Sequence, residues 1–270
     1  MRAIAHISDL HFGEADAAAV DALARDIQAA RPNLVIVSGD LTKGARNSEF
    51  EEARAFFNRL SLPVFSVPGN HDVSPYSLFE RFTQPFARYE RWMQAESEPF
   101  YFDAEIAVTG LNSARSWGWH WNWAHGRLSR RQVMRAAERL ASTPKLFKIV
   151  VLHHPVIEPP PGSAQRIVGR LPAALKVLDE VGTDLILAGH LHTGQTREIR
   201  ISDDREILAL QASTATSRRQ RGEKNAYNRI VIEGARLNIE VRSFTGAAFE
   251  PVSHTEWLKD EAGWGMIPAT

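Results

Sequence analysis

Short apolar runs alternate with helical periodicity through the first half of the chain. Ala3 to Ile7 and Leu34 to Val37 read as buried strands, and between them Val20, Leu23, Ala24 and Ile27 recur at helical spacing within Ala15 to Ala30. Ser48 followed by Glu51 predicts a capping box opening a helix that runs through Leu60, and Pro63 to Val67 makes a third strand. Strand, helix, strand, helix, strand predicts a parallel sheet joined by right-handed crossovers.

Farther along, residues 74 to 98 read as helical, with Phe79, Phe82, Phe86, Tyr89 and Trp92 spaced for one core-facing side. Phe100 to Phe102 and Ile106 to Leu111 suggest a β-pair, Ser129 and Gln132 cap a further helix, and Phe147 to Leu152 is again a buried strand. Leu171 to Val181 reads as a helix ended by Gly182, and Leu185 to Leu187 as the next strand. The pattern then changes. Gln195 to Ile201, Ile207 to Gln211, Tyr227 to Ile232 and Leu237 to Phe244 read as antiparallel strands, with turns at Asp203-Asp204 and Glu233-Gly234. Two packed sheets flanked by helices are expected.

The polar residues fall where those strands end. Ile7 leads into Ser8-Asp9-Leu10-His11, Val37 into Ser38-Gly39-Asp40, and Val67 into Pro68-Gly69-Asn70-His71-Asp72. Leu152 leads into His153-His154, and Leu187 into Ala188-Gly189-His190-Leu191-His192. Ligands of open α/β sheets bind beyond the carboxyl ends of the strands, so these segments can converge. Asp9, His11, Asp40, Asn70, His153, His190 and His192 form an oxygen and nitrogen donor set that suits manganese, iron, zinc or cobalt. Seven donors exceed one tetrahedral zinc, whereas two ions about 3.5 to 4 Å apart sharing one carboxylate accommodate them.

In these blocks the sequence resembles the calcineurin-like metallophosphoesterases, and within them the bacterial class III cyclic-nucleotide and glycerophosphodiester phosphodiesterases. The family pattern D-x-H, G-D, G-N-H-D/E, H and G-H-x-H is met in order by Asp9 to His11, Gly39-Asp40, Gly69 to Asp72, His153 and Gly189 to His192. The class III flavour comes from His6 to His11, Gly39 to Thr42 and Pro63 to Asp72, and the resemblance covers residues 3 to 195. It implies an α/β fold, a four-layer α/β/β/α sandwich of two mixed sheets flanked by helices, with the metals at the carboxyl ends of the strands. It further implies that Asp9, His11 and His192 hold one ion, that Asn70, His153 and His190 hold the other, and that Asp40 bridges. His71 is left to contact the phosphate and assist the leaving oxygen, and Asp72 to orient that imidazole.

Residues 1 to 270 are accordingly expected to form a single metallophosphoesterase domain, with motifs in 3–195, a β-rich part in 195–245 and a tail in 246–270. The implied activity is hydrolysis of a small phosphodiester by in-line attack of a hydroxide held between two cations. A phosphomonoesterase with the same ions is the alternative, with a nuclease or a non-catalytic metal-binding scaffold behind it.

Composition narrows this further. The 32 Lys plus Arg balance 32 Asp plus Glu, which counts against a nucleic-acid partner. With no cysteine, disulfides, thiolate ligands and a cysteine nucleophile are excluded. No signal-like segment precedes Asp9 and no apolar run reaches membrane length, so a cytoplasmic location without membrane partners is expected. Ser8 and Ser38 have no evident activating histidine, His154 fits either a phosphate contact or packing behind the site, and His6 and His254 read as core and surface residues. Arg218, Arg219 and Arg221 with Lys224 read as a solvated turn, with contact to a substrate phosphate as the alternative. Trp117, Trp119, Trp121 and Trp123, four of the seven tryptophans, fit core packing, the interface of a homo-oligomer, or a specificity wall beside the metals.

Overall fold

The computed structural model describes the chain except residues 75–77, 94–95, 117–124, 160–162, 164, 192–194, 203–204, 219–223, 261–262 and 269–270. Strands β1 (Arg2–Ile7), β2 (Leu34–Ser38) and β3 (Val64–Val67) are parallel neighbours connected by α1 (Ala17–Ala30) and α2 (Asn47–Leu60). Helices α3 (Leu78–Thr83) and α4 (Ala87–Met93) lead to β4 (Phe100–Phe102) and β5 (Ile106–Gly110). Then follow α5 (Arg130–Ala141), β6 (Phe147–Val151), α6 (Leu171–Glu180) and β7 (Leu185–Ala188). The chain closes with β8 (Gln195–Ser202), β9 (Arg205–Gln211), β10 (Ala226–Glu233), β11 (Arg236–Phe244), β12 (Phe249–Asp260) and β13 (Gly263–Ile267).

These strands build two mixed sheets, ordered β13-β12-β11-β10-β1-β2-β3 and β4-β5-β6-β7-β9-β8. Strand alternation divides the core among layers. From the first sheet, Ile4, Leu34, Ile36, Phe65 and Val67 face Ile149, Val151, Leu185, Leu187, Leu208 and Leu210 of the second. The intervening residues Ala5, Ile7, Val35 and Val37 pack on α1 and α2 through Leu23, Ile27, Phe50 and Phe57. On the other side Val150, Ile186, Ile207 and Ala209 pack on α5 and α6 through Val133, Leu140, Leu175 and Leu178. Burial on both faces explains why the central strands read as continuous apolar runs. The layers are α/β/β/α.

Several boundaries depart from expectation. The segment 74–98 is not one helix: α3 and α4 are separated at Gln84-Pro85, because proline disfavours the helical conformation of the residue before it. Tyr89 is fully buried and donates to the Ser66 carbonyl at 2.8 Å, but Phe79 and Phe82 are 79% and 54% exposed, so the aromatic stripe does not all enter the core. The α2 capping box lies two residues earlier than predicted, with the Glu49 carboxylate accepting from the backbone of Gly44 at 2.8 Å and Arg46 at 3.2 Å. The late strands pair antiparallel as expected, β8 with β9 and β10 with β11, but the two pairs join different sheets. β10 pairs with β1, whereas β9 runs parallel to β7. The expected tail contains two strands, β12 and β13. No helix among the described residues is long and apolar enough to cross a membrane.

Candidate metal centre

The carboxyl ends of β1, β2, β3, β6 and β7 meet at one place, three from one sheet and two from the other. Backbone bonds lock their loops together: Asp9 N donates to Gly39 O at 3.1 Å, His11 N to Asp40 O at 3.1 Å, and Gly189 N to His153 O at 2.9 Å. Asp9, His11, Asp40 and His190 all adopt positive φ, at 53°, 49°, 52° and 77°. Such conformations are disfavoured for residues with a Cβ and persist where the surroundings enforce them. Gly189 permits the close approach, since a Cβ there would stand 1.9 Å from Ser8 Oγ and 2.9 Å from Asp9 Oδ2.

The side chains converge on Asp40. Its Oδ1 accepts from the His71 backbone at 2.9 Å, and its Oδ2 lies 3.3 Å from His153 Nε2 and 3.9 Å from His11 Nε2. His153 Nε2 is also 3.2 Å from Asn70 Oδ1 and 3.1 Å from His190 Nδ1. His11 Nε2 stands 3.6 Å from Asp9 Oδ1. Two donor clusters result, Asp40 with His153 and His190, and Asp40 with His11 and His71, each with its ligand atoms within 4.8 Å of one another. Asp40 belongs to both. His192, expected beside His11, lies outside the described residues.

The electrostatics of this pocket fit bound cations. Burial alone would raise the Asp40 carboxyl, yet His153, His71 and His11 hold it well below the usual carboxylate range. Burial disfavours charge on His153, but Asp40 and Asp9 more than offset it and push the imidazole up to about 9. His11 is raised in the same way against its burial, by Asp9 and Asp40. Protons therefore gather where anionic oxygens and ring nitrogens converge, and a cation competes with them for the same lone pairs.

Ring orientation agrees with ligation. A backbone carbonyl only accepts, so the bond from His153 Nδ1 to Ser38 O at 2.8 Å places a proton on Nδ1 and turns the Nε2 lone pair of the neutral ring inward. His71 Nδ1 donates to Lys43 O at 2.7 Å in the same manner. His71 and Asn70 are partly exposed, whereas Asp9, His11, Asp40, His153 and His190 are buried.

Asp72 does not take the role expected of it. Its carboxylate accepts from the backbone of Leu41 at 3.2 Å, Thr42 at 2.9 Å and Gly69 at 2.9 Å, and from Thr42 Oγ1 at 2.8 Å. The imidazole of His71 is oriented by the Lys43 carbonyl instead. Residues Asn70–Asp72 form one 3-10 turn, where successive side chains splay about 120° apart, so Asp72 points into the protein as His71 faces the centre. Burial and the neighbouring Asp40 raise Asp72 to about 6 against those hydrogen bonds.

Ser38 does have a histidine partner, His6 Nε2 at 2.9 Å, contrary to the reading of the sequence. Both residues are fully buried, and burial lowers His6 to about 3 although Asp9 opposes it, so this pair is core. His154 is likewise buried, bonded through Nδ1 to Ser113 Oγ at 2.8 Å. Arg218, Lys224 and His254 are exposed. Arg219, Arg221 and the tryptophan segment 117–123 lie outside the described residues. Supports that the sequence did not announce include Thr214 and Thr216, which donate to the carbonyls of Asp9 at 2.8 Å and Leu10 at 2.7 Å. Gln165 is another, with Oε1 at 2.7 Å from His190 Nε2.

Known proteins resemble this chain in sequence and in fold. A probable glycerophosphodiester phosphodiesterase, GpdQ, of Arcobacter nitrofigilis is 25% identical over 130 residues, covering 47% of this chain and 44% of that protein. The 3',5'-cyclic adenosine monophosphate phosphodiesterase CpdA of Haemophilus influenzae is 25% identical over 122 residues, covering 45% and 40%. These matched segments span less than half of either relative. A dimetal phosphatase from Danio rerio shares the fold with a TM-score of 0.66 at 12% identity, covering 93% of this chain and 98% of that one. Residues 2–194, which include every candidate donor block, match the family model described as calcineurin-like phosphoesterase, and the chain belongs to that family.

Proposed function

We propose that this protein is a dinuclear metal-dependent phosphodiesterase acting on a small diester, such as a cyclic nucleotide or a glycerophosphodiester. The observation that carries the reading is the sharing of Asp40 by two donor clusters, one of which includes the partly exposed His71. Asp9, His11, His192 and Asp40 would hold one ion, and Asp40, Asn70, His153 and His190 the other. Manganese, iron, zinc and cobalt all suit this nitrogen and oxygen set. Bound cations supply Lewis-acid charge for the phosphoryl oxygens and lower the pKa of water from about 15.7 toward 7.

The chain's own residues do the rest. Asp40 would neutralise charge at both cation positions, and its Oδ1 accepts from the backbone amide of His71. His71 keeps its Nδ1 proton on Lys43 O, so Nε2 is the atom available to hold a proton for the departing alcohol oxygen. Asp72 ties the loop after β3 to the loop after β2 and so sets where His71 stands. The activities named for the relatives, two phosphodiesterases, support a diester over a monoester substrate. We read residues 1–270 as one domain serving this site.

Comparison of kcat/KM for bis(nitrophenyl) phosphate and nitrophenyl phosphate, after reconstitution with Mn(II), Co(II) or Zn(II), tests the reading. A clear preference for the diester is expected. Preference for the monoester with every metal would assign the same centre to a phosphomonoesterase.

A further inference from the structure

His190 is approached from two sides. Its Nδ1 enters the donor cluster, 3.1 Å from His153 Nε2, and its Nε2 lies 2.7 Å from Oε1 of Gln165. A neutral imidazole carries one proton, and an amide oxygen can only accept it. With the proton on Nε2, the Nδ1 lone pair faces the cluster, as ligation requires. His153 and His71 receive the equivalent orientation from backbone carbonyls. For His190 the partner is a side chain, carried on the connection between β6 and α6.

That connection is anchored where it matters. Val168 N donates to Pro155 O at 2.8 Å, and Gly169 N donates to Gly126 O at 2.9 Å. Gln165 N donates to Ser163 Oγ at 3.1 Å. The amide is thus presented to His190 by a loop whose ends are fixed to the scaffold, and Gln165 reaches only one of the two clusters.

We infer that Gln165 is a positioning residue that selects the metal-binding tautomer of His190 and thereby tunes the affinity of the ion held by Asp40, Asn70, His153 and His190. The inference rests on the dinuclear reading above. Partners of ligating histidines typically set metal affinity by about 10- to 100-fold. Gln165→Leu, of similar volume and without an acceptor, should therefore weaken one of the two ions by about that factor and leave the other unchanged. Gln165→Glu retains the acceptor and should bind both ions within a few-fold of wild type.

The test is calorimetric titration of the chelator-stripped full chain with Co(II), read together with cobalt visible absorption and the Tm of the metal-free protein. Selective weakening of one ion in Gln165→Leu, rescue in Gln165→Glu and an unchanged metal-free Tm support the inference. Two ions bound at wild-type affinity by Gln165→Leu overturn it while leaving the dinuclear centre intact. Equal weakening of both ions with a lowered metal-free Tm also overturns it, assigning Gln165 a general structural role. A wild-type chain that takes up fewer than two Co(II) ions overturns the dinuclear reading and the inference with it.

Discussion

A methyl group added at Gly69 would stand 2.1 Å from Asp40 Oδ1 and 2.4 Å from the Asp40 backbone nitrogen, whereas ordinary contact begins at 3.4 Å. Gly69 itself has a φ of −101°, which alanine adopts without strain, so the whole effect of Gly69→Ala is contact. The carboxylate can swing aside, but the nitrogen cannot, because the Asp40 carbonyl is fixed by His11 N at 3.1 Å. One loop must then shift by about an ångström, and overpacking of this kind costs about 1–3 kcal/mol. Since Asp40 is common to both donor clusters, both ions should bind at least ~10-fold more weakly, the scale seen when ligand orientation is disturbed. Displacing a reacting geometry by about 1 Å can further lower kcat/KM about 100-fold. Gly234→Ala is the control: nothing lies within 4 Å of its Cβ, and its φ of 59° brings only backbone strain. That variant should lose about 1 kcal/mol and keep its metals. Denaturant unfolding of the stripped proteins and Mn(II) calorimetry measure both effects. Wild-type affinity for two ions in Gly69→Ala would refute the reasoning, as would equal metal loss in Gly234→Ala.

Other perturbations separate the roles. Asp40→Asn retains an acceptor for the His71 amide but removes the shared charge, and should lower metal content at both positions in elemental analysis; two tightly held ions would sink the bridging assignment. His71→Ala should keep both ions and lose rate, with acid assistance contributing about 100- to 10,000-fold for poor leaving groups and less for nitrophenolate. Equal losses would remove the acid role, and loss of an ion would make His71 a ligand. His153, pushed up to about 9 in the metal-free protein, carries a proton below that pH and must release it to ligate. Metal affinity should therefore rise from pH 7 toward 9 with proton release detectable by calorimetry in buffers of different ionisation heat; a flat profile would contradict this.

The convergence of the candidate donors was legible because each polar block stands at the carboxyl end of a strand. Gly39-Asp40 and Gly69-Asn70 each follow a mostly apolar run by one residue, Ser38 and Pro68, and burial of strands on both faces produces such runs. The layer architecture follows from the same pattern. β12 was not legible, because its residues 250–254 are exposed on both faces and include Pro251, leaving no alternation to detect. The position of Asp72 beside His71 suggested contact, yet adjacency in a 3-10 turn separates side chains. Gln165 gave no signal at all, being a polar residue in a proline-rich connection whose role exists only once His190 is brought 2.7 Å away by folding.

The most direct measurement of the central claim is turnover of bis(nitrophenyl) phosphate as a function of Mn(II) bound per chain, with metal counted in the same samples. Two ions sharing Asp40 predict negligible diester hydrolysis with the first equivalent and a rate that climbs as the second binds. Full rate at one ion per chain, or no diester hydrolysis with both positions filled, would contradict the account.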